Sequence, residues 1–210
     1  MERHPSVYGL GRTYPGHAAE MGAAPDPVVF VVPWTSLAPG GGEIPWPPGA
    51  DLVHHEVELV LVLGTGGRNL DPAAAEEAIA EVTVGIDLTA RDLQARLKER
   101  GHPWARAKGF PRACPTGPLV PAAPFRGRWG GIDLRLAIDG EVRQEGTVAD
   151  MRPDPPGAVA LLSRWFELAP GDVVFTGTPA GVGPVRPGER LVASSRALGV
   201  EFACTLVPPP

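Results

Sequence analysis

Short apolar runs recur along the whole chain, and most of them alternate with polar residues or are bounded by Gly and Pro. Such runs are typical of β-strands separated by turns. They predict strands in segments 6–14, 27–33, 53–63, 82–89, 171–179 and 189–207, and a hairpin in 134–146. The pair Asp139-Gly140 is the turn expected in that hairpin. Residues 37–50, "LAPGGGEIPWPPGA", predict a loop.

Four stretches carry helical signals. The segment 15–22, "PGHAAEMG", predicts a short helix closed by Gly22. A second helix is predicted to begin at Asp71 as N-cap with Pro72 in the first position, and to run through 73–82. The segments 90–100, stopped by Gly101, and 156–168, apolar on one face, predict two more. The pattern favours one α+β domain over residues 1–210, dominated by irregular sheets.

Composition narrows the class of protein. The chain has 210 residues, of which 43% are hydrophobic, so it can bury the core of one domain. Its net charge of −5 without a run of Lys or Arg argues against nucleic acid. No stretch approaches the roughly 20 apolar residues of a membrane span, and the two cysteines have no metal-type spacing. We expect free thiols, no membrane partner and a cytoplasmic protein.

The strand candidate 53–63 contains two glutamates that apolar residues surround. Side chains alternate between the two faces of a strand, so His54, Glu56 and Glu58 share one face. Two neighbouring carboxylates near a core repel each other and are costly to desolvate. Either the first half of this strand emerges into solvent, or the charge is compensated by a divalent cation or by a pair of Lys or Arg side chains. The spacing alone leaves both readings open.

A third carboxylate favours the cation. In "VTVGIDLTARD", Asp87 ends the polar side of a strand just before a helix, a common place for site residues. Three carboxylates without a thiolate suit a hard ion such as Mg²⁺, Mn²⁺ or Ca²⁺. His54 and His55 raise a zinc alternative, which "HHEVE" supports poorly because it is not HExxH.

Further candidates follow the third carboxylate. Arg91 and Gln94 lie three apart on a predicted helix and share a face that can border a metal. Lys108 lies in the Gly- and Pro-rich segment "AKGFPRACPTGP", predicted as a loop. The segment "TGTPAGVGP", with Thr176 and Thr178, offers backbone N–H groups able to hold a carboxylate or phosphate, although it is not a P-loop.

A possible general base precedes all of these residues. His17 and Glu20 are three apart on the first predicted helix. A carboxylate beside an imidazole fixes its tautomer and raises its basicity. The alternative is a surface histidine with an acidic neighbour, and the spacing does not decide between them.

In their order, several motifs resemble the fumarylacetoacetate hydrolase family, and its small acylpyruvate hydrolase and oxaloacetate decarboxylase branch in particular. They extend over nearly the whole chain: "GRTYPGHAAEMG", "HHEVELVLVLG", "GIDLTARDLQ", "KGF" with "CPTGP", "GEVRQEG" and "TGTPAGVGP". The resemblance implies a β-rich roll of mixed, sandwiched sheets with few short helices, usually as a homodimer. Residues 1–50 would supply a lid helix and leading strands, and 51–210 the metal-binding core.

The resemblance also implies roles for single residues. Glu56, Glu58 and Asp87 would hold Mg²⁺ or Mn²⁺, or Ca²⁺ in a crystal, and the substrate would be a small 2-oxo acid or its enol. Lys108 would stabilise an enolate, and a dyad of His17 and Glu20 on the lid would activate water. Members of the family contact substrate at positions that correspond to Arg91, Gln94, Gln144 and Thr178.

These residues are compatible with three functions. The first is hydrolysis of a C–C bond in acylpyruvates, in which a metal-chelated substrate is attacked by activated water. The alternative keeps the metal and the enolate but decarboxylates oxaloacetate, or isomerises or tautomerises 2-oxo dienoates. The third is a non-enzymatic binding module with structural Ca²⁺. One departure affects substrate preference: relatives often have F-x-K-P where residues 30–33 read "FVVP", so Val32 replaces a lysine.

Overall fold

The computed structural model describes residues 3–15 and 27–208. Strands make up most of the regular structure in this part of the chain. The first eight strands are β1 (Val7–Gly11), β2 (Val28–Val32), β3 (Leu37–Pro39), β4 (Gly42–Pro45), β5 (Val53–His55), β6 (Val57–Leu63), β7 (Ile79–Ile86) and β8 (Thr89–Ala90). The others are β9 (Cys114–Thr116), β10 (Val120–Pro121), β11 (Asp133–Ile138), β12 (Glu141–Thr147), β13 (Val173–Phe175), β14 (Gly183–Val185), β15 (Arg190–Ser195) and β16 (Val200–Val207).

Four α-helices are described, and all are short. They are α1 (Pro72–Ala78), α2 (Arg91–Glu99), α3 (Ala105–Lys108) and α4 (Pro155–Ser163). None of the helices in the described segments is long and apolar enough to cross a bilayer. The helix predicted in 15–22 falls almost wholly outside the described residues.

The strands form three sheets, of which the two large ones are mixed and the small one is antiparallel. The eight-stranded sheet has the order β2-β1-β13-β6-β7-β9-β3, with β10 beside β7. The five-stranded sheet has the order β12-β11-β15-β16-β4, and the small sheet has the order β14-β5-β8. Strands β6 and β7 contact β11 and β15, so the two large sheets pack face to face. This arrangement confirms the predicted fold class of a strand-rich sandwich roll with few short helices.

Strand β6 is buried on both faces. Leu59 and Leu61 on one side and Val60 on the other are fully buried, because β6 lies in the middle of the large sheet between β13 and β7. A strand covered on both faces reads as a continuous apolar run. The run in the sequence therefore predicted the position of β6 correctly.

Helix α1 begins as predicted but ends early. The Asp71 carboxylate accepts a hydrogen bond from the Ala74 N–H at 2.8 Å, and Pro72 follows it. The helix stops at Ala78, and Ile79 already pairs with Leu63 of β6. The prediction that it extends through 73–82 was wrong, because pairing with the neighbouring strand overrides the local helix propensity.

Two other segment predictions needed correction. Residues 37–50 contain β3 and β4, which pair in parallel with β9 and β16 from distant parts of the chain. The helix predicted in 156–168 ends at Ser163 and is buried on most of its surface rather than on one face. Its Asp154 carboxylate caps the N-terminus, and α4 packs against α1.

The hairpin of β11 and β12 has the predicted two-residue turn. Asp139 and Gly140 both have positive φ, 49° and 86°, which matches the twist of the adjoining strands. The prediction of free thiols is also confirmed, because Cys114 and Cys204 are buried and unpaired.

Candidate active site and metal centre

Glu56 occupies a break between two strands. The sequence predicted one strand over 53–63, and this was wrong: β5 ends at His55 and β6 begins at Val57. The first strand pairs within the small sheet and the second within the large sheet. At the break, the Glu56 carbonyl accepts the Asp87 N–H at 2.8 Å, which brings the two acidic residues together.

Three carboxylates converge beside this break. Glu56, Glu58 and Asp87 are 7%, 2% and 2% exposed, and each offers one oxygen within 4.8 Å of those of the other two. Asp87 directly follows Ile86, which pairs with Val57 at the start of β6. The reading in which solvated glutamates lie at an exposed strand end is therefore wrong.

Two cationic side chains contact these carboxylates. Lys108 Nζ lies 2.9 Å from Glu56 Oε2 and 2.5 Å from Asp87 Oδ2. Arg91 Nη2 lies 2.5 Å from Glu56 Oε1. Lys108 is the last residue of α3 and is itself buried, so the loop assignment was wrong. This helix holds the ammonium inside the site.

Burial and mutual repulsion shift the titration of the site. Burial, together with the charges of Asp87 and Glu56, raises the pKa of Glu58 well above its usual value, although Lys108 opposes the shift. Burial also raises the pKa of Asp87 to about 6 against the opposing effect of Lys108. For Lys108, burial alone would lower the pKa, but Asp87 and Glu56 raise it overall. Lys108 and Arg91 therefore neutralise the negative charge of the three carboxylates only in part.

The residues fit a hard divalent cation. Asp87 Oδ1 is buried and accepts no hydrogen bond from any described residue, a costly arrangement unless a ligand uses this oxygen. The donor set consists only of carboxylate oxygens, which Mg²⁺ and Mn²⁺ prefer. Within the described ranges, these three residues form the one acidic group with metal-ligand geometry.

The two histidines make other contacts. His54 Nδ1 accepts a hydrogen bond from Arg91 Nε at 3.4 Å, and His55 Nδ1 lies 2.8 Å from Gln144 Oε1. Burial and the Arg91 charge lower the pKa of His54 to about 4, so a neutral imidazole is present near neutral pH. Arg91 Nη1 also donates to Gln94 Oε1 at 2.8 Å. Arg91 and Gln94 thus share the helix face predicted for them.

The loop "TGTPAGVGP" holds one of the protein's own carboxylates. The Gly177 N–H donates to Glu58 Oε2 at 2.7 Å, and Thr176 Oγ1 donates to the Leu59 carbonyl at 2.8 Å. Gly177 has a φ of 98°, and a Cβ there would lie 2.0 Å from Thr13 Oγ1. Only glycine allows this close approach. The backbone donors expected from the sequence are thus partly used to fix a metal-ligand candidate.

Sequence reasoning missed three residues of the site. Thr89 Oγ1 donates to Glu56 Oε1 at 3.1 Å. The Phe30 ring lies 5.1 Å from Lys108 Nζ, a distance typical of a cation–π contact. The Tyr14 hydroxyl is buried and has no hydrogen-bond partner among residues 3–15 and 27–208. Thr89 and Tyr14 lie within the motifs "GIDLTARDLQ" and "GRTYPGHAAEMG", so the sequence could have indicated them. The Phe30 contact depends on the packing of β2 against α3, which no local pattern shows.

Three further predictions concern the dyad of His17 and Glu20, the valine at position 32 and the homodimer. His17 and Glu20 lie outside the described residues, so the water-activating dyad stays a prediction. Val32 is 5% exposed and packs in the core, and its effect on substrate preference stays a prediction. The homodimer also stays a prediction.

The described chain is a strand-rich roll of curled sheets with a buried carboxylate site that a lysine contacts. The pattern described as Fumarylacetoacetate (FAA) hydrolase C-terminal matches residues 6–204. The chain belongs to the fumarylacetoacetate hydrolase family, as the resemblance of its motifs indicated.

Known relatives within this family catalyse different reactions. The chain is 41% identical to oxaloacetate tautomerase YcgM of Escherichia coli over 190 residues, covering 90% of this chain and 87% of that protein. It is 35% identical to a mitochondrial oxaloacetate decarboxylase of Dictyostelium discoideum, with 96% and 93% covered. A crystal structure of fumarylpyruvate hydrolase from Pseudomonas aeruginosa with Mn²⁺ and pyruvate is 40% identical, covers 97% of this chain and 89% of that one, and superposes with a TM-score of 0.92.

Proposed function

We propose that this protein is a divalent-metal-dependent enzyme that acts on small 2-oxo acids through their enol or enolate form, and that its reaction is the keto–enol tautomerisation of oxaloacetate. The observation that carries the proposal is the buried Lys108 ammonium between Glu56 and Asp87. The similarity to a curated oxaloacetate tautomerase supports the choice of reaction.

The carboxylate triad supports a metal-dependent reaction. Glu56, Glu58 and Asp87 would hold Mg²⁺ or Mn²⁺ through the oxygens that converge on one point. When bound, such an ion supplies Lewis acidity that stabilises negative charge on substrate oxygens. The Mn²⁺ complex of the related fumarylpyruvate hydrolase agrees with this assignment.

Lys108 is suited to stabilise an enolate. An ammonium has three N–H groups, and two of them point at Glu56 Oε2 and Asp87 Oδ2. The third has no partner among the described residues and can donate to a substrate oxygen. In a buried site such an interaction is stronger than in water. The raised pKa of Lys108 keeps the group protonated, so it can hold a proton beside the enol oxygen.

Substrate carboxylates would be bound by residues around this centre. Arg91 is held between Glu56, Gln94 and His54, which fixes the plane of its guanidinium. An immobilised guanidinium recognises a carboxylate through two parallel hydrogen bonds. Thr178 offers a buried hydroxyl on the opposite loop. Two carboxylate contacts fit a short 2-oxo dicarboxylate.

A second candidate is C–C hydrolysis of acylpyruvates, which the sequence analysis placed first. Water adds to the distal carbonyl, the C–C bond breaks, and its electron pair forms the enolate of pyruvate, which takes up a proton. Pyruvate and a carboxylic acid result. The spacing of His17 and Glu20 and the related fumarylpyruvate hydrolase favour this reaction. We place it second because it needs a water molecule activated to attack a carbonyl, whereas tautomerisation only exchanges the C3 proton with solvent and moves a proton at the oxygen beside Lys108. Oxaloacetate decarboxylation needs the same enolate-stabilising groups without that activated water.

The experiment compares three reactions in one protein preparation with Mg²⁺ or Mn²⁺: loss of the enol absorbance of oxaloacetate, pyruvate release from oxaloacetate, and pyruvate release from an acylpyruvate. Lys108→Met should abolish tautomerisation, and Glu56→Ala serves as the metal-site control. Tautomerisation that survives in His17→Ala supports the first candidate, whereas acylpyruvate hydrolysis lost in His17→Ala supports the second. A wild-type protein inactive on all three substrates contradicts both.

A further inference from the structure

Gln144 is turned into the interior by an irregularity of its strand. In the pairing of β11 with β12, Leu136 faces Gln144 but Ala137 faces Val142, so Arg143 is an extra residue. Such a β-bulge reverses the faces on either side of it. Val142 is consequently 42% exposed although apolar, while the polar Gln144 is 1% exposed. Simple alternation would place residues 142 and 144 on the same face, and the bulge places them on opposite faces.

The Gln144 amide uses all of its hydrogen-bonding capacity within the protein. Its Oε1 accepts from Val57 N at 3.0 Å and lies 2.8 Å from His55 Nδ1. Its Nε2 donates to Thr178 Oγ1 at 2.8 Å and to the Pro179 carbonyl at 3.0 Å. A backbone N–H can only donate and a carbonyl can only accept, so these partners fix which amide atom is which.

Two of these partners flank Glu56. His55 ends β5 and Val57 begins β6, so the amide oxygen of Gln144 closes the break at which Glu56 sits. Gln144 itself belongs to the five-stranded sheet. One side chain therefore ties all three sheets together at the position of a metal-ligand candidate. The residues on both sides of Glu56 are therefore held by the same amide oxygen.

The hydrogen bond from Gln144 also determines how the Thr178 hydroxyl can act. Because Nε2 of Gln144 can only donate, the Thr178 oxygen accepts, and its own O–H is left to donate elsewhere. Three residues further along the same loop, Gly181 has a φ of 92°, and a Cβ there would lie 2.6 Å from the Arg143 carbonyl, so glycine allows the loop to approach this strand. Thr178 is thereby oriented as a hydrogen-bond donor, which selects an acceptor such as a carboxylate oxygen on the substrate.

We propose that Gln144 is a positioning residue that holds Glu56 for the metal and orients Thr178 as a donor to a substrate carboxylate, without contacting the substrate itself. The proposal rests on the proposed function, since it assigns roles to groups of the same site. It replaces the sequence prediction of Gln144 as a substrate contact with an indirect role, because no hydrogen-bonding position of the amide is left for a ligand.

The test measures Mn²⁺ affinity and pyruvate affinity in addition to turnover. Gln144→Met keeps the size of the side chain but removes the amide. We expect its Mn²⁺ dissociation constant to rise about 10-fold, a common effect of losing a group that orients a metal ligand. KM for the 2-oxo acid should rise as well. Glu141→Gln, an exposed change on the same strand, should leave both values unaltered.

A double-mutant cycle isolates the route through Thr178. Thr178→Val should raise the dissociation constant of pyruvate, measured in the presence of saturating Mn²⁺. If Gln144 acts through Thr178, the double variant Gln144→Met/Thr178→Val should bind pyruvate no more weakly than Thr178→Val alone. Additive losses in pyruvate affinity with unchanged Mn²⁺ affinity would mean direct substrate contact and would overturn the proposal.

A second variant distinguishes a positioning role of Gln144 from a general loss of folding. Gln144→Asn keeps the amide but is shorter by one methylene, so it cannot reach all four partners and should show the same pattern more weakly. If neither variant folds, Gln144 is a structural residue and the positioning role is overturned. The Mn²⁺ measurement needs no substrate turnover, so a wild-type protein that binds Mn²⁺ but converts no 2-oxo acid would refute the proposed function while still testing Gln144.

Discussion

Lys108 and Asp87 form a buried ion pair: Lys108 Nζ lies 2.5 Å from Asp87 Oδ2, and the side chains are 3% and 2% exposed. The same ammonium contacts Glu56. A buried cation that touches two of three converging carboxylates stabilises the site in the absence of a metal. It also lies where negative charge would develop on a bound enolate.

Removal of this cation should be costly for folding and for catalysis. Lys108→Met leaves buried carboxylates without their closest partner, and breaking a buried pair costs about 3–5 kcal/mol. We expect a loss of that order in the free energy of unfolding, measured with urea in the presence of a chelator. Added Mn²⁺ should stabilise the variant more than it stabilises the wild type. Lys98→Met, an exposed change on α2, is the control, and equal Mn²⁺ effects in wild type and Lys108→Met would contradict this account.

A divalent ion should stabilise the wild-type protein. A ligand at 100 times its dissociation constant contributes about 2.7 kcal/mol, so the melting temperature should rise with Mg²⁺ or Mn²⁺ and fall with a chelator. Glu58→Gln should remove most of this rise. Without metal, the same variant should be at least as stable as the wild type, because it deletes a buried negative charge. Glu201→Gln, at an exposed site, should keep the wild-type response. A full metal effect in Glu58→Gln would exclude Glu58 as a ligand.

The Phe30 ring depends on a glycine in the neighbouring strand. A Cβ on Gly9 would lie 2.2 Å from Phe30 Cζ, so Gly9→Ala must displace the ring that lies over Lys108. We expect a loss of about 1–3 kcal/mol in stability, as for other overpacked positions, together with a lower kcat. Gly11→Ala on the same strand is the matched control, since its Cβ would meet only Val28 Cβ at 3.9 Å.

The double variant Gly9→Ala/Phe30→Leu tests the cause of that loss. Leucine makes room for the added methyl group, so stability should recover in part, whereas kcat should not recover if the aromatic face over Lys108 matters. Recovery of both properties would show that the ring serves packing alone.

We expect Asp133, which lies outside the candidate site, to make a pH-dependent contribution to the stability of the protein. Burial alone would raise its pKa, but the N–H groups of Ala197 and Arg196 outweigh burial and lower the pKa of this carboxyl. A lowered pKa in the folded state stabilises the protein above the unfolded value near 3.9. This contribution is lost as the pH falls through the folded-state pKa.

Asp133→Asn should therefore lower the free energy of unfolding by about 1–2 kcal/mol near neutral pH. The difference from wild type should shrink below about pH 4. Urea unfolding at several pH values measures it, with Glu201→Gln as a control. A difference that stays constant down to the acid limit would contradict the charge-assisted hydrogen bonds to the turn between β15 and β16.

Much of the fold followed from local patterns. The apolar run of β6, the Asp139-Gly140 turn and the Asp71 cap each depend on a few neighbouring residues, and all three appear as predicted. The short strands β3 and β4 were missed because their parallel partners β9 and β16 are distant in sequence. Their Gly- and Pro-rich segment carries no strand periodicity of its own.

The same division applies to the site. Alternation placed Glu56 and Glu58 on one side, and they do converge, but the strand is broken at Glu56 by pairing within two different sheets. Lys108 was identified as a candidate, yet its helix and its contacts with Asp87 required the packing of α3 against the sheets. Gln144 faces inward because of a bulge that no alternation rule predicts.

The sequence by itself determined the strand-rich class, the family and the three carboxylates, because these depend on residue types and spacings along the chain. The tertiary structure decided how the carboxylates share Lys108 and Arg91. It also decided that Asp87 Oδ1 has no hydrogen-bond partner among the described residues, and that Gln144 contacts the residues on both sides of Glu56. Those relationships arise where three sheets meet, and hydrogen bonds between distant segments, rather than local preferences, set their geometry.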